Sequence, residues 1–161
     1  MLRRPALTGP ATDLPRRKPH RWGVLAAGLA LAVLSGCSGT GSTISTAVQD
    51  SSSAIATARL ALSLDSAGKL TRTATSTTLD DALRELATSR NSVLKLSPAS
   101  EGDRQSVQEA LSVLDGCAAA MTTARDAVAG GERAPSLSDG GQQLSEAADR
   151  LSQLGAKDGG K

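Results

Sequence analysis

The segment from Val107 to Val128, VQEALSVLDGCAAAMTTARDAV, carries the clearest periodic pattern in the chain. One set of its side chains recurs at alternating steps of four and three residues: Val107, Leu111, Leu114, Ala118, Met121, Arg125 and Val128. This spacing puts them on one face of an α-helix, so the segment is predicted to be a packed amphipathic helix. Ser100 and Asp103 predict a capping box at its start, and Gly130-Gly131 predicts its end.

The same spacing occurs nearer the start of the chain. Its residues are Ile44, Val48, Ser51, Ile55, Ala58 and Leu62. They predict a first helix, which Gly68 ends as a glycine C-cap with Leu70 against the last turn.

A second helix is predicted to start at an N-cap on Thr78, because a carboxylate, Asp81, follows three residues later. Its packed face is Leu79, Leu83, Leu86, Arg90 and Val93, with Leu94 and Leu96 filling the end. The Ser- and Thr-rich residues 71–77 form either a loop or two further turns of this helix.

A last helix is predicted after Pro135. Its packed face is Leu137, Leu144, Ala147, Leu151 and Leu154. Because Gly140 and Gly141 weaken its first turn, its ordered part is predicted to begin near Gln142.

These segments predict an all-α fold, an antiparallel up-and-down bundle of four helices, or of three, over residues 44–155. No stretch alternates apolar and polar residues at the strand period, which argues against a sheet. Small residues on the packed faces predict close helix approach. The alternative structure for the same heptad spacing is a coiled-coil dimer. Residues 156–161 are predicted to be a polar tail.

The first 36 residues predict an export signal rather than part of the fold. Its basic leader consists of Arg3, Arg4, Arg16, Arg17, Lys18 and Arg21. An apolar run from Trp22 to Leu34 follows, shorter than the roughly 20 residues that a membrane-spanning helix needs. The Arg16-Arg17 pair leaves twin-arginine export open, although the polar residues after it favour the general secretory route.

The end of this run, Leu34-Ser35-Gly36-Cys37, resembles the lipobox of bacterial lipoproteins. The resemblance implies cleavage between Gly36 and Cys37 and a diacylglycerol on the Cys37 thiol, often with acylation of the new amino terminus. It places the protein at the extracytoplasmic face of the cell membrane, with residues 37–43 as a flexible tether. The alternative is an ordinary secretory signal with a chance cysteine. The whole pattern is similar to small helical lipoproteins of high-GC Gram-positive bacteria, which assigns no activity.

Cleavage before Cys37 would change the charge and the available chemistry. Six of the 18 Lys and Arg residues and one of the 16 Asp and Glu residues precede Cys37, which leaves 12 bases against 15 acids. His20 and Trp22 are the only His and Trp, and Phe and Tyr are absent. The mature chain therefore lacks an imidazole for base catalysis or metal binding. It also lacks the basic surface with aromatic residues that is typical of nucleic-acid binding. We expect no cofactor and no metal.

Cys117 is the one cysteine outside the lipobox, and two readings compete for it. It is either a redox or intermolecular thiol, or a small buried hydrophobe, and the second is favoured because no His or second free cysteine could activate it. The adjacent Asp80 and Asp81 would point about 100° apart on a helix, which argues against paired catalytic carboxylates.

Three further features are candidates for anion or sugar binding. Arg90 and Arg125 on packed faces are either anion ligands inside the bundle or arginines whose heads reach water while their stems pack. Arg72 with the hydroxyls of residues 71–78 is either a phosphate or sugar site or a polar loop.

These observations favour a non-enzymatic interaction or accessory module of the cell envelope, anchored to the membrane through lipid on Cys37 and working through a protein partner. The alternative is a small-ligand or lipid carrier that uses the space between the helices. An enzyme is the third class, and it would have to work without His, Tyr or a metal cluster.

Overall fold

A computed structural model describes residues 39–158, and within that range all regular secondary structure is helical. The predicted signal peptide, the lipobox with Cys37 and the last three residues lie outside it. The four helices are α1 Thr40–Ser66, α2 Arg72–Leu94, α3 Glu101–Ala129 and α4 Leu137–Asp158. They pack as one four-helix bundle, which confirms the predicted fold class.

Short connections, residues 67–71, 95–100 and 130–136, join consecutive helices and make them run up and down alternately. Each helix packs on its neighbours in the chain, and α4 returns beside α1 to close the bundle. α1 also contacts α3 across the bundle, whereas α2 and α4 do not meet. The cross-section is therefore flattened, with α1 and α3 on its short diagonal.

The burial pattern follows from this arrangement. α1 and α3 each touch three helices, and each buries extra alanines beside its main packed face: Ala47, Ala54 and Ala61 on α1, and Ala120 and Ala127 on α3. α2 touches two helices, and its buried residues follow a single stripe at steps of four and three. Alanine suits the wider stripes because its small side chain lets helices approach closely, as the sequence predicts.

The predicted packed face of α1 is confirmed, because all six of its residues are buried. On α4 the last four predicted residues are buried and Leu137 is half-buried. On α2 and α3 the prediction is partly wrong, and the differing residues fall into two groups. Arg90 and Ala118 are only half-buried and Arg125 is exposed, while Ala82, Ser89, Ala110, Cys117 and Ala124 are buried. Leu83, Val107 and Leu111 are half-buried and pack against the core, as predicted.

The physical reason is that α2 and α3 each offer two faces with the same spacing. The sequence prediction chose the face with the larger side chains, except at Ala118, which is smaller than the buried Cys117. Close approach of the helices instead buries the smaller residues and leaves the long ones at the flanks. Leu94, predicted to fill the end of α2, is 48% exposed.

Two predicted helix starts are corrected by the structure. α1 begins at Thr40, so the last four residues of the predicted tether are helical. α2 begins at Arg72, because the Thr71 hydroxyl accepts the Ala74 backbone N–H at 3.3 Å. Thr78, the predicted N-cap, lies inside α2 and donates its hydroxyl to the Ala74 carbonyl at 2.9 Å. The residues left open between loop and helix are thus helical from Arg72 onward.

α4 also begins earlier than predicted, at Leu137 rather than near Gln142. Ser136 and Asp139 cap it reciprocally: each backbone N–H donates to the other's side-chain oxygen at 3.1 Å. The helix runs to Asp158, so residues 156–158 of the predicted tail are helical.

Three predicted helix boundaries are confirmed. Ser100 and Asp103 form the capping box of α3. Gly68, after α1, and Gly130, after α3, have positive φ values of 67° and 69°, which glycine adopts without a steric penalty.

Candidate functional site

A groove of about 510 Å³ runs between the outer sides of α3 and α4. Its α3 wall consists of small residues, Gly116, Ala119 and Ala120. Its α4 wall is mostly polar and contains Asp139, Gln142, Gln143, Glu146, Ala147 and Arg150. The groove exists because α3 carries almost no side-chain volume where α4 carries long side chains.

Arg150 crosses this groove toward α3. A β-carbon at Gly116 would stand 3.5 Å from the Arg150 Nη1 atom, an ordinary van der Waals distance, so the guanidinium lies beside α3 at this residue. Among the described residues Arg150 has no ion-pair partner, and Glu146 accepts a hydrogen bond from the Gln142 amide at 3.3 Å. The guanidinium therefore keeps donors that could bind an anion.

Cys117 lies beneath the groove in the core, with 1% of its surface exposed. Its thiol donates to the Ala147 carbonyl at 3.9 Å. Burial raises the pKa of the Cys117 thiol to about 11, and the nearby charge of Arg150 offsets only part of this effect. The thiol is thus protonated at neutral pH, which agrees with the small buried hydrophobe rather than with a reactive thiol.

The adjacent aspartates face different partners. The Asp80 carboxylate forms an ion pair with Arg125, whose Nε lies 2.9 Å from the Asp80 Oδ1, across the flank between α2 and α3. Asp81 instead pairs with Arg84 within α2. The two carboxylates therefore do not converge on a common point, in agreement with the angle predicted from their adjacency.

Arg90 forms the second link across the same flank, with its Nε 2.5 Å from the Asp115 Oδ1. Arg90 and Arg125 were each predicted to bind an anion inside the bundle or to extend the charged head into water. They extend the head into water, since their side chains are 39% and 50% exposed. Exposed pairs of this kind contribute about 0–1 kcal/mol each. The two ion pairs are ten residues apart on each helix. Their order along α3 is the reverse of their order along α2, as two antiparallel helices require.

Arg72 lies over the end of α3, where a β-carbon at Gly130 would be 3.1 Å from its Nη1 atom. The hydroxyls near it donate to carbonyls of their own helix: Thr75 to Thr71, Thr77 to Thr73 and Thr78 to Ala74. The predicted Thr-rich cluster is therefore helical rather than a loop, and the hydroxyl protons of Thr75, Thr77 and Thr78 are engaged, whereas Thr73 and Ser76 line a shallow pocket beside Arg72.

One end of the bundle, here called the proximal end, holds the first turn of α1, the last turn of α2, the 95–100 connection, the first turn of α3 and the last turn of α4. Ser42 and Thr43 share a shallow groove with Ser92 of α2. Gly155 of α4 packs beside Val48, since a β-carbon at 155 would be 3.5 Å from its Cγ1. The start of α1 is thus flanked by both neighbouring helices.

Sequence reasoning missed Arg150, and it read Gly140 as a weak point of α4 rather than as a packing residue. The available signal was a glycine inside a strongly periodic helix, because such a glycine costs about 1 kcal/mol relative to alanine and indicates a close approach. Gly140 packs against Ala124 in this way.

The described residues contain no group of three His, Cys, Asp or Glu side chains that could hold a metal ion. In the same part of the chain, no helix combines the length and apolar character that crossing a membrane takes. Comparison of the chain with protein-family models, curated proteins and solved structures finds no match.

Proposed function

We propose that this protein is a lipid-anchored module of the bacterial cell envelope, exported, cleaved before Cys37 and working through contact with another envelope component. The observation that carries the proposal is the Leu34-Ser35-Gly36-Cys37 box at the end of a short apolar run, two residues before the folded part begins. A lipid anchor confines the bundle near its partners and raises its effective concentration there.

A non-enzymatic role is supported by the surroundings of the three candidate catalytic side chains. Asp80 and Asp81 are engaged by arginines, and the Cys117 thiol is buried with a raised pKa. The two carboxylates do not converge on a common point, and a buried thiol with a raised pKa is a poor nucleophile.

The anchor is tested by expressing the full chain in a Gram-positive host fed a clickable fatty acid. The wild type should incorporate label, lose the leader and remain with the membranes. Cys37→Ala should lose the label and the lipid mass. Cys117→Ala is the matched control, because it removes the only other thiol and should keep the label. Labelled Cys37→Ala protein, or a mature terminus elsewhere by mass spectrometry, contradicts the proposal.

The interaction role is tested by complementation of a deletion strain that shows a phenotype. A released form without Cys37 should fail to complement. Single alanine variants at Cys117, Asp80, Asp81 and Arg90 should complement nearly as well as wild type. Complete loss of function from one of them, in a protein that is still folded and anchored, favours an enzyme or a ligand site.

The groove between α3 and α4 supports a second candidate, a carrier of a small polar ligand. The Arg150 guanidinium and the Gln143 amide are the groups that would bind a carboxylate or phosphate, while Asp139 and Glu146 on the same wall add two negative charges that weaken such binding. This polar wall does not suit an acyl chain. Nuclear magnetic resonance titration with succinate and with inorganic phosphate tests it. Shifts at the groove that disappear in Arg150→Gln and persist in Arg84→Gln, an arginine on α2, would favour the carrier.

A further inference from the structure

The distance between the predicted lipid and the bundle is short. Only Ser38 and Gly39 separate Cys37 from Thr40, where α1 begins. Fully extended, the three steps from Cys37 to Thr40 span at most about 11 Å. The polar layer on each face of a bilayer is roughly 5–8 Å thick. A lipid on Cys37 would therefore hold the proximal end at the headgroups, because α1 starts too early to leave a long tether.

Two neighbouring residues at the proximal end suit that position, while Glu101 and Asp103 in the first turn of α3 add acidic charge at the same end. α2 ends in Leu94, one of the two large apolar side chains that are strongly exposed in the described part of the chain, and Lys95 beside it is also exposed. An apolar side chain next to a long cationic one is typical of the membrane interface, where the first enters the acyl boundary and the second reaches the phosphates.

We propose that the proximal end lies against the phospholipid surface, with Leu94 in the boundary between headgroups and acyl chains and the Lys95 ammonium among the phosphates. This inference rests on the proposed lipidation of Cys37. The helices then stand away from the membrane, and the opposite end, with the 67–71 and 130–136 connections, faces the envelope space.

The second exposed leucine provides a matched control. Leu60 is 59% exposed and lies on α1, twenty residues after Thr40. At 1.5 Å per residue it is about 30 Å along the helix from the anchored end. Leu60 and Leu94 therefore have the same chemistry and similar exposure at very different expected heights above the membrane.

The test uses the lipidated protein in vesicles of phosphatidylcholine and phosphatidylglycerol, with and without bromine on the acyl chains. Cleavage removes Trp22, the only tryptophan, so an introduced tryptophan is the sole fluorophore. The variants are Leu94→Trp, the control Leu60→Trp, and Ala99→Trp as a second reporter in the same connection. Circular dichroism confirms that each is folded, and flotation confirms that each is bound.

Brominated lipid should remove more than about half of the Leu94→Trp emission, part of the Ala99→Trp emission, and almost none of the Leu60→Trp emission. If the protein floats and neither Leu94→Trp nor Ala99→Trp is quenched, the inference is overturned and the anchor stands. Equal quenching of Leu60→Trp and Leu94→Trp overturns it as well, because the bundle would then lie on its side.

A blue-shifted but unquenched Leu94→Trp would mean that a second copy covers the leucine, and this also overturns the inference. Failure of the wild type to float, or Trp22 emission from an uncleaved leader, overturns the proposed anchor itself and the inference with it. The two failures are thus distinguished by flotation and by the fluorescence of the wild type.

Discussion

Gly140 of α4 lies against Ala124 of α3 so closely that a β-carbon at position 140 would stand 2.9 Å from the Ala124 α-carbon. The neighbouring Gly141 has nothing within 4 Å of the same position. Two adjacent glycines in the first turns of one helix therefore have different roles, and only the first is required for the packing of α4 on α3.

We expect Gly140→Ala to destabilise the protein by about 1–3 kcal/mol, because the new methyl group meets backbone atoms that cannot move away. Gly141→Ala should instead stabilise it by about 0.5–1 kcal/mol, since alanine is the better helix former and the site is open. Urea unfolding followed by far-UV circular dichroism measures both. Equal effects of the two substitutions would contradict the close approach of α4 to α3.

Ser51 is fully buried on α1, and its hydroxyl has no hydrogen-bond partner among the described residues. A buried hydroxyl without a partner costs about 1–3 kcal/mol, so Ser51→Ala should raise the free energy of unfolding. Ser53→Ala, at an exposed position of the same helix, is the control for the gain in helix propensity. The prediction fails if Ser51→Ala stabilises the protein no more than Ser53→Ala does.

The cap of α4 predicts a pH dependence at acid pH. Hydrogen bonding to the Ser136 side chain, and then to its backbone N–H, lowers the pKa of Asp139 below its usual value. The native state thus favours the ionised form, and the resulting stability is fully present above the unfolded-state pKa of about 3.9. It is lost as pH falls through the lower pKa of the native state.

Asp139→Asn should therefore abolish this part of the pH dependence of the free energy of unfolding. Ser136→Ala should make the same pH dependence smaller. Urea unfolding at a series of pH values measures the slope, and carboxyl resonances report the titration of Asp139. If the free energy of unfolding falls equally with decreasing pH in wild type and Asp139→Asn, the cap makes no contribution to the pH dependence.

Burial of Cys117 predicts a slow reaction with thiol reagents. Because the thiol is 1% exposed and burial also raises its pKa to about 11, the native protein should react with a thiol reagent at neutral pH only when it unfolds. Destabilising the bundle with Gly140→Ala should accelerate the labelling, while Gly141→Ala should slow it. Fast labelling of the native wild type, unaffected by either substitution, would place the thiol at the surface.

The sequence by itself determined the features that depend on local order. Periodic spacing indicated four amphipathic helices, and the Ser100–Asp103 capping box and the glycines at 68 and 130 marked their ends correctly. These features involve residues within two or three helical turns of one another, so their physical causes can be read along the chain. The leader and the lipobox are local patterns of the same kind, and they stay predictions.

Tertiary structure decided which of two equally spaced faces α2 and α3 bury, and it chose Ser89 and Ala124 over the longer Arg90 and Arg125. It also decided that Gly140 packs on Ala124, whereas the start of α4 at the Ser136–Asp139 cap was a local signal that the sequence prediction missed. A helical sequence specifies which residues share a face. The distance to the neighbouring helices then determines how much side-chain volume that face can hold, and no single helix contains that information.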